Sequence, residues 1–186
     1  MALYIPNQNN RINHAIQFAT IAHGNQVRKG NEFVPYIFHP IDVANEIAFH
    51  SGLTGSEMDQ ALVDAILHDV IEDTAVTYEN VRDQFGQITA DDVQVTSKNS
   101  RLQKGEQFVD MLQRAKAAPA RVQCVKLADR LSNLKTFPSF WDRDKIAQYL
   151  DEAVVIAETL GGASVELKAK LLTQVADMRK VLSLRS

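Results

Sequence analysis

Residues 56–73 read SEMDQALVDAILHDVIED. Met58, Ala61, Leu62, Ala65 and Ile66 recur at three- and four-residue spacing, the period of an amphipathic helix with one face in a core. Ser56 opens it, and Asp59 three positions on makes a variant of the capping box. At the end of this apolar run come four ionisable side chains, His68, Asp69, Glu72 and Asp73. His68 and Glu72 are four apart, as are Asp69 and Asp73, so each pair shares a helix face. Three carboxylates at that spacing repel one another. A bound divalent cation would compensate them; a solvated acidic helix end is the plainer alternative.

The same period runs outward in both directions. Asn10 caps a helix to about His23, with Ile12, Ala15, Ile16, Ala19 and Ala22 on one face. Residues 24–38, Gly-punctuated and holding Arg28, Lys29 and Pro35, read as a loop, and a helix from about Pro40 to His50 follows. Thr77 and Thr89 cap short helices ending near Gly86 and Thr96. The polar, basic run SKNSRLQKG (97–105) reads as a loop. Helices over 105–117 and 119–135 are split at Pro119, and Phe137-Pro138 makes the next break. Two longer helices, 142–160 and 163–183, are parted by Gly161-Gly162. Val93, Val95, Val122 and Val125 admit a strand reading, but the flanking periods favour helix. With no strand pair, repeat or linker in sight, the expectation is all-α: a compact helical bundle, one domain over 1–186.

Composition narrows the function. The chain has 186 residues, 45% hydrophobic and 23% charged, which excludes collagen-like and mostly disordered classes. A single cysteine, Cys124, excludes an intramolecular disulfide and a zinc site built from several thiolates. Twenty Lys and Arg against 23 Asp and Glu give a net charge of −3, the wrong sign for a general nucleic-acid binder. No stretch approaches the roughly 20 apolar residues of a membrane span. The start, MALYIPNQNN, does not read as a signal peptide, so a cytoplasmic location is expected. Nothing in the sequence speaks to oligomeric state.

Two further clusters join the first. In KLADRLSN (126–133), Lys126, Asp129 and Asn133 fall on one helix face, while Leu127, Leu131 and Leu134 fall on another. A Lys126–Asp129 ion pair alone would account for that pattern. In PYIFHP (35–40), His39 precedes proline, which biases it away from the α region and places it just ahead of a helix. Together the clusters offer two imidazoles, His39 and His68, and two carboxylates, Asp69 and Asp129. That mixed nitrogen and oxygen set suits Mn²⁺, Fe²⁺ or Zn²⁺.

The runs AHGNQVRKG (22–30), VPYIFHP (34–40), AILHDVIEDT (65–74) and VKLADRLSNLKT (125–136) resemble the HD superfamily of metal-dependent phosphohydrolases. Within it the chain is most similar to the hydrolase domain of RelA/SpoT enzymes, in the layout of a small alarmone hydrolase, over roughly residues 10–160. The resemblance implies that His39, His68, Asp69 and Asp129 hold a metal, usually Mn²⁺. It implies that Glu72 and Asp73 position or activate the attacking water, that Arg28 and Lys29 lie near the substrate, and that Asn133 contacts the nucleotide. Lys98 and Tyr149 align with substrate-binding positions. The implied partner is a small nucleotide: the family removes the 3′-pyrophosphate of (p)ppGpp, giving GDP or GTP plus pyrophosphate.

Two departures stand out, the order His23-Gly24-Asn25-Gln26 and Ser132, where the family commonly has an aromatic residue or histidine. Both are expected to bear on the nucleoside pocket and to touch neither a ligand nor the Glu72-Asp73 pair. Alternatives within the enzymes are an adenine-alarmone hydrolase, an NADPH phosphatase and a 5′-nucleotidase. The alternative of another class is a silent alarmone sensor, against which the intact HD, ED and KLADR runs count. Arg101, Lys104, Lys126 and Arg130 add basic groups near the same segments. Trp141 is expected in the core, His23 in a structural role, and His14 and His50 in none.

Overall fold

The computed structural model describes residues 8–28 and 30–183. It is built from helices: α1 (Gln8–His23), α2 (Phe38–His50), α3 (Gly55–Leu67), α4 (Val70–Asp73), α5 (Tyr78–Phe85), α6 (Gln87–Thr96), α7 (Lys104–Ala117), α8 (Ala120–Asn133), α9 (Arg143–Leu160) and α10 (Val165–Ser183). The expected all-α bundle is what forms. Helix α8 runs through its middle, packed by α2, α3, α9 and α10. Leu127, Leu131 and Leu134 bury one side of α8 among Ile47, Ile66, Leu67, Leu150, Ile156, Leu167 and Leu171. Full burial of each such side chain stabilises the fold by roughly 1.5–3 kcal/mol. The other side of α8 is thereby turned, with its Lys, Asp and Asn, toward a cleft. Val93 and Val95 lie in α6, and Val122 and Val125 in α8, so the helical period outweighed β-branching. Among the described residues no helix is long and apolar enough to cross a membrane.

Asn10, Ser56 and Thr89, read as caps, lie inside α1, α3 and α6, whose first residues precede them. Three larger expectations are also corrected. The segment read as loop contains an antiparallel pair, β1 (Val27–Arg28) with β2 (Asn31–Pro35). Its turn needs Gly30, whose φ of +92° suits no side chain. A Cβ there would also sit 2.6 Å from the Phe137 carbonyl oxygen, so the hairpin rests against the Phe137-Pro138 break. Lys29 lies outside the described residues.

His39 sits inside the first turn of α2 rather than ahead of it. Pro40 is tolerated because first-turn N–H groups have no intrahelical acceptor. The His39 N–H instead donates to Tyr36 O at 2.8 Å.

Residues 56–73 are not one helix. Helix α3 ends at Leu67, Asp69 takes φ −104° and ψ −4°, and α4 is a separate turn. The His68 carbonyl accepts from Thr96 Oγ1 at 3.1 Å. On an unbroken helix adjacent residues point about 100° apart. The break lets His68 and Asp69 converge, with His68 Nε2 2.9 Å from Asp69 Oδ2.

Candidate active site

Four side chains from three segments meet below the cleft. From α2, His39 Nε2 lies 3.3 Å from Asp129 Oδ1 and 3.6 Å from Asp69 Oδ2. From the end of α3, His68 Nε2 lies 3.6 Å from Asp129 Oδ1. One ligand atom from each of His39, His68 and Asp129 falls within 4.8 Å of the others, close enough to share one ion. Asp69 joins them through its short distances to both imidazoles.

The donor set fits a divalent cation. His68 Nδ1 lies 2.7 Å from Ala65 O, which only accepts, so Nδ1 carries the proton and Nε2 the lone pair. That Nε2 is buried without a hydrogen-bond partner while facing two carboxylates. A lone pair against anions is repulsive until a positive charge lies among them. Burial opposes charging His68, yet Asp69 and Asp129 push it up to about 10. Burial also works against ionising both carboxyls. The His68 and His39 imidazoles hold Asp69 well below the usual carboxylate range, and Lys126 with the imidazoles does the same for Asp129.

Around this centre each carboxylate is held by neighbours. Asp129 accepts from Lys126 Nζ at 2.8 Å and Asn133 Nδ2 at 2.6 Å. The Lys126–Asp129 ion pair therefore exists, within the centre rather than in place of it. Arg28 Nη1 donates to Asn133 Oδ1 at 3.0 Å and Nη2 to Ser132 O at 3.4 Å. The Tyr36 hydroxyl donates to Asp69 Oδ2. Glu72 accepts from Lys98 twice, at 2.5 Å from Nζ and 2.8 Å from the backbone N–H. Two residues expected to act separately, Glu72 and Lys98, are thus partners.

Both departures from the family pattern touch the site, contrary to expectation. Ser132 Oγ lies 3.0 Å from Nδ1 of His39. Gln26 Nε2 donates to the Asp73 carbonyl at 2.8 Å, so its Oε1 faces His23 Nδ1 at 2.9 Å as the acceptor. His23 is buried and lies with its ring centre 4.6 Å from that of Tyr36, the structural setting expected of it.

The cleft above has a volume of about 350 Å³. It is lined by the acids Asp69, Glu72, Asp73, Asp129 and Glu152 and by the cations Arg28, Lys98, Lys104, Lys126, Arg130 and Lys145, with Arg130 Nη2 3.4 Å from Glu152 Oε2. Asn133 and Tyr149 line it too; Arg101 is not among its lining residues. One end is aromatic. Trp141, expected in the core, lines the cleft, its ring centre 5.1 Å from that of Tyr149. Arg130 Cζ stands 3.8 Å over the Tyr149 ring. Sequence reasoning missed Tyr36, although it stands inside the PYIFHP run. It also missed the part His50 plays at the far end of α2, where its Nδ1 lies 2.6 Å from Glu166 Oε1.

An imidazole–carboxylate centre in a cleft lined by lysines and arginines suits attack by water on an anionic substrate: fold and site define a metal-dependent hydrolase. Comparison with known proteins agrees. The HD domain family matches residues 15–152. The guanosine-3′,5′-bis(diphosphate) 3′-pyrophosphohydrolase MESH1 of Danio rerio is 33% identical over 160 residues, 84% of this chain and 87% of that protein. Its counterpart from Homo sapiens is 32% identical over 161 residues, with 84% and 88% covered. A solved structure described as a metazoan ortholog of SpoT that hydrolyzes ppGpp superposes with a TM-score of 0.82 at 28% identity, covering 96% of this chain and 98% of that one. The chain belongs to the HD domain family and, within it, to the group of the MESH1 hydrolases.

Proposed function

We propose that this chain, as one domain over 1–186, removes the 3′-pyrophosphate of (p)ppGpp, giving GDP or GTP plus pyrophosphate, with one Mn²⁺ held by His39, His68, Asp69 and Asp129. The observation that carries the reading is the pairing of that buried centre with a cleft into which six lysine and arginine side chains are gathered in a protein of net charge −3. The names of its relatives support the substrate class.

A divalent ion bound at the centre would lower the pKa of water and neutralise charge on the phosphate. The chain's own groups do the rest. Asn133 and Lys126 hold the Asp129 carboxylate, and Tyr36 holds that of Asp69. Asp73 is exposed to the cleft and takes the proton of the attacking water, while Glu72, steadied by Lys98, orients that water. Arg28, Lys29, Lys98 and Arg130 receive phosphate oxygens by charge-assisted hydrogen bonds. Tyr149 and Trp141 offer ring faces to the purine.

Hydrolysis of ppGpp, ppApp and NADPH, measured side by side with Mn²⁺ or with chelator, tests this. Pyrophosphate released from ppGpp and abolished by chelator is expected. Cleavage that persists without metal removes the role given to the ion; orthophosphate released from NADPH, with ppGpp untouched, replaces the substrate.

A further inference from the structure

His39 and His68 present the same nitrogen to the centre, but by different means. His68 gives its Nδ1 proton to a backbone carbonyl. His39 has at Nδ1 only a side-chain hydroxyl, Ser132 Oγ at 3.0 Å, with both residues 2% exposed. A hydroxyl donates or accepts, so this contact by itself leaves the imidazole tautomer open.

The other ring nitrogen closes that choice. His39 Nε2 faces Asp69 and Asp129 as the proposed ligand atom, so it keeps its lone pair and the proton lies on Nδ1. Ser132 Oγ is then the acceptor of His39 Nδ1–H.

We propose that Ser132 is a positioning residue that sets the tautomer and ring orientation of His39 for metal binding. The inference rests on the metal role proposed for His39. The observation behind it is the 3.0 Å contact of two side chains that are both buried, with no water route to replace the hydroxyl. Metal-bound imidazoles commonly carry such a partner on the other ring nitrogen, and its loss lowers metal affinity or activity about 10–100-fold.

Binding of Mn²⁺ alone to the full chain, followed by calorimetry and by the electron paramagnetic resonance of the free ion, tests the inference. The comparison is between the parent, Ser132→Ala, Ser132→Thr and Ser132→Val, with metal-free thermal midpoints as the folding control. One ion per parent chain is expected, bound about 10–100-fold more weakly by Ser132→Ala. Ser132→Thr keeps the hydroxyl and should recover parent affinity. Ser132→Val has the shape of threonine without the hydroxyl; it should bind as weakly as Ser132→Ala and decides the matter if Ser132→Ala does not fold. A parent that binds no Mn²⁺ overturns the proposed metal role and this inference with it. A parent that binds while Ser132→Ala, or an unfolded Ser132→Ala and a folded Ser132→Val, leaves affinity unchanged overturns the inference alone. Equal weakening by Ala and Thr also overturns it, because packing rather than the hydroxyl would then be at work.

Discussion

The Tyr36 hydroxyl donates to Asp69 Oδ2 at 2.5 Å, and the phenol oxygen itself lies 3.4 Å from Asp73 Oδ2. One phenol thus stands between a carboxylate of the buried centre and the carboxylate given the role of base. Burial first, and the Asp69 charge next, push the phenol far up, so it stays a donor through the alkaline range. Tyr36→Phe keeps the ring packed on His23 and removes only the donor. Turnover and metal affinity should each fall about 10–100-fold with the helical circular dichroism intact. Parent values for both would show that Asp69 needs no such partner.

Asp73 and Asp129 should separate chemistry from metal binding. Asp73→Ala leaves the four proposed ligands in place, so the ion should remain while turnover drops about 10²–10⁴-fold. Asp129→Ala leaves two imidazoles with one carboxylate and frees Lys126 and Asn133 from their partner, so metal and turnover should both be lost. Elemental analysis of the purified variants beside a pyrophosphate-release assay reads the two effects. Hydrolysis by Asp73→Ala at the parent rate would sink the role given to it.

Much of this was legible in the chain itself, and what was not has a common cause. Periodicity located most helix ends to within a residue or two, because each helix buries an apolar stripe whose spacing is local information; α6 starts earlier than its expected Thr89 cap, at Gln87. The break between Leu67 and Val70 was hidden, since the acidic residues after it keep helical spacing and the carbonyl it releases is received by Thr96, 28 positions away. The hairpin was hidden for the same reason: Gly30 marks a turn, but the surface it must clear belongs to Phe137. At the site, the runs containing His39, His68, Asp69 and Asp129 stood out by residue type. Tyr36 and Trp141 did not, because a tyrosine ahead of a helix and a lone tryptophan acquire meaning only from what faces them.

Gly30 carries a third prediction. An alanine there must hold φ near +92° and bring its Cβ to 2.6 Å from the Phe137 oxygen. Strain of this kind costs roughly 1–3 kcal/mol, which lowers the thermal midpoint by several degrees. Gly162→Ala, where a Cβ meets nothing within 4 Å, is the matched control and should shift stability by no more than about 0.5 kcal/mol. Equal melting of the two variants would mean that the hairpin moves off the Phe137 loop without penalty.

Lys98 separates substrate binding from stability. Its pair with Glu72 is half in solvent, with side-chain exposures of 54% and 21%, and such pairs contribute about 0–1 kcal/mol. Lys98→Gln should therefore melt within a few degrees of the parent. Its KM for ppGpp should rise about tenfold, the loss of one charge-assisted contact. A large fall in stability with KM unchanged would make Lys98 a structural strut.

Asp64 gives the pH dependence. It is 1% exposed, accepts from Gln60 Nε2 at 2.6 Å, and has Arg121 Nε no closer than 3.8 Å. Arg121 is drawn away by Asp92, 2.8 Å from the same nitrogen. Burial foremost, and then the Asp92 charge, push the Asp64 carboxyl well above the usual range. The folded state therefore holds this proton more tightly than the unfolded chain does. That contribution to stability is complete below the ordinary aspartate value and is lost as pH rises through the folded value. Asp64→Asn keeps the shape of the protonated acid and cannot ionise. Urea unfolding of parent and variant from about pH 5 to pH 9 should show the parent losing stability relative to Asp64→Asn as pH climbs. A difference that stays constant over that range would mean that Asp64 is already ionised in the folded protein and that Arg121 neutralises both carboxylates.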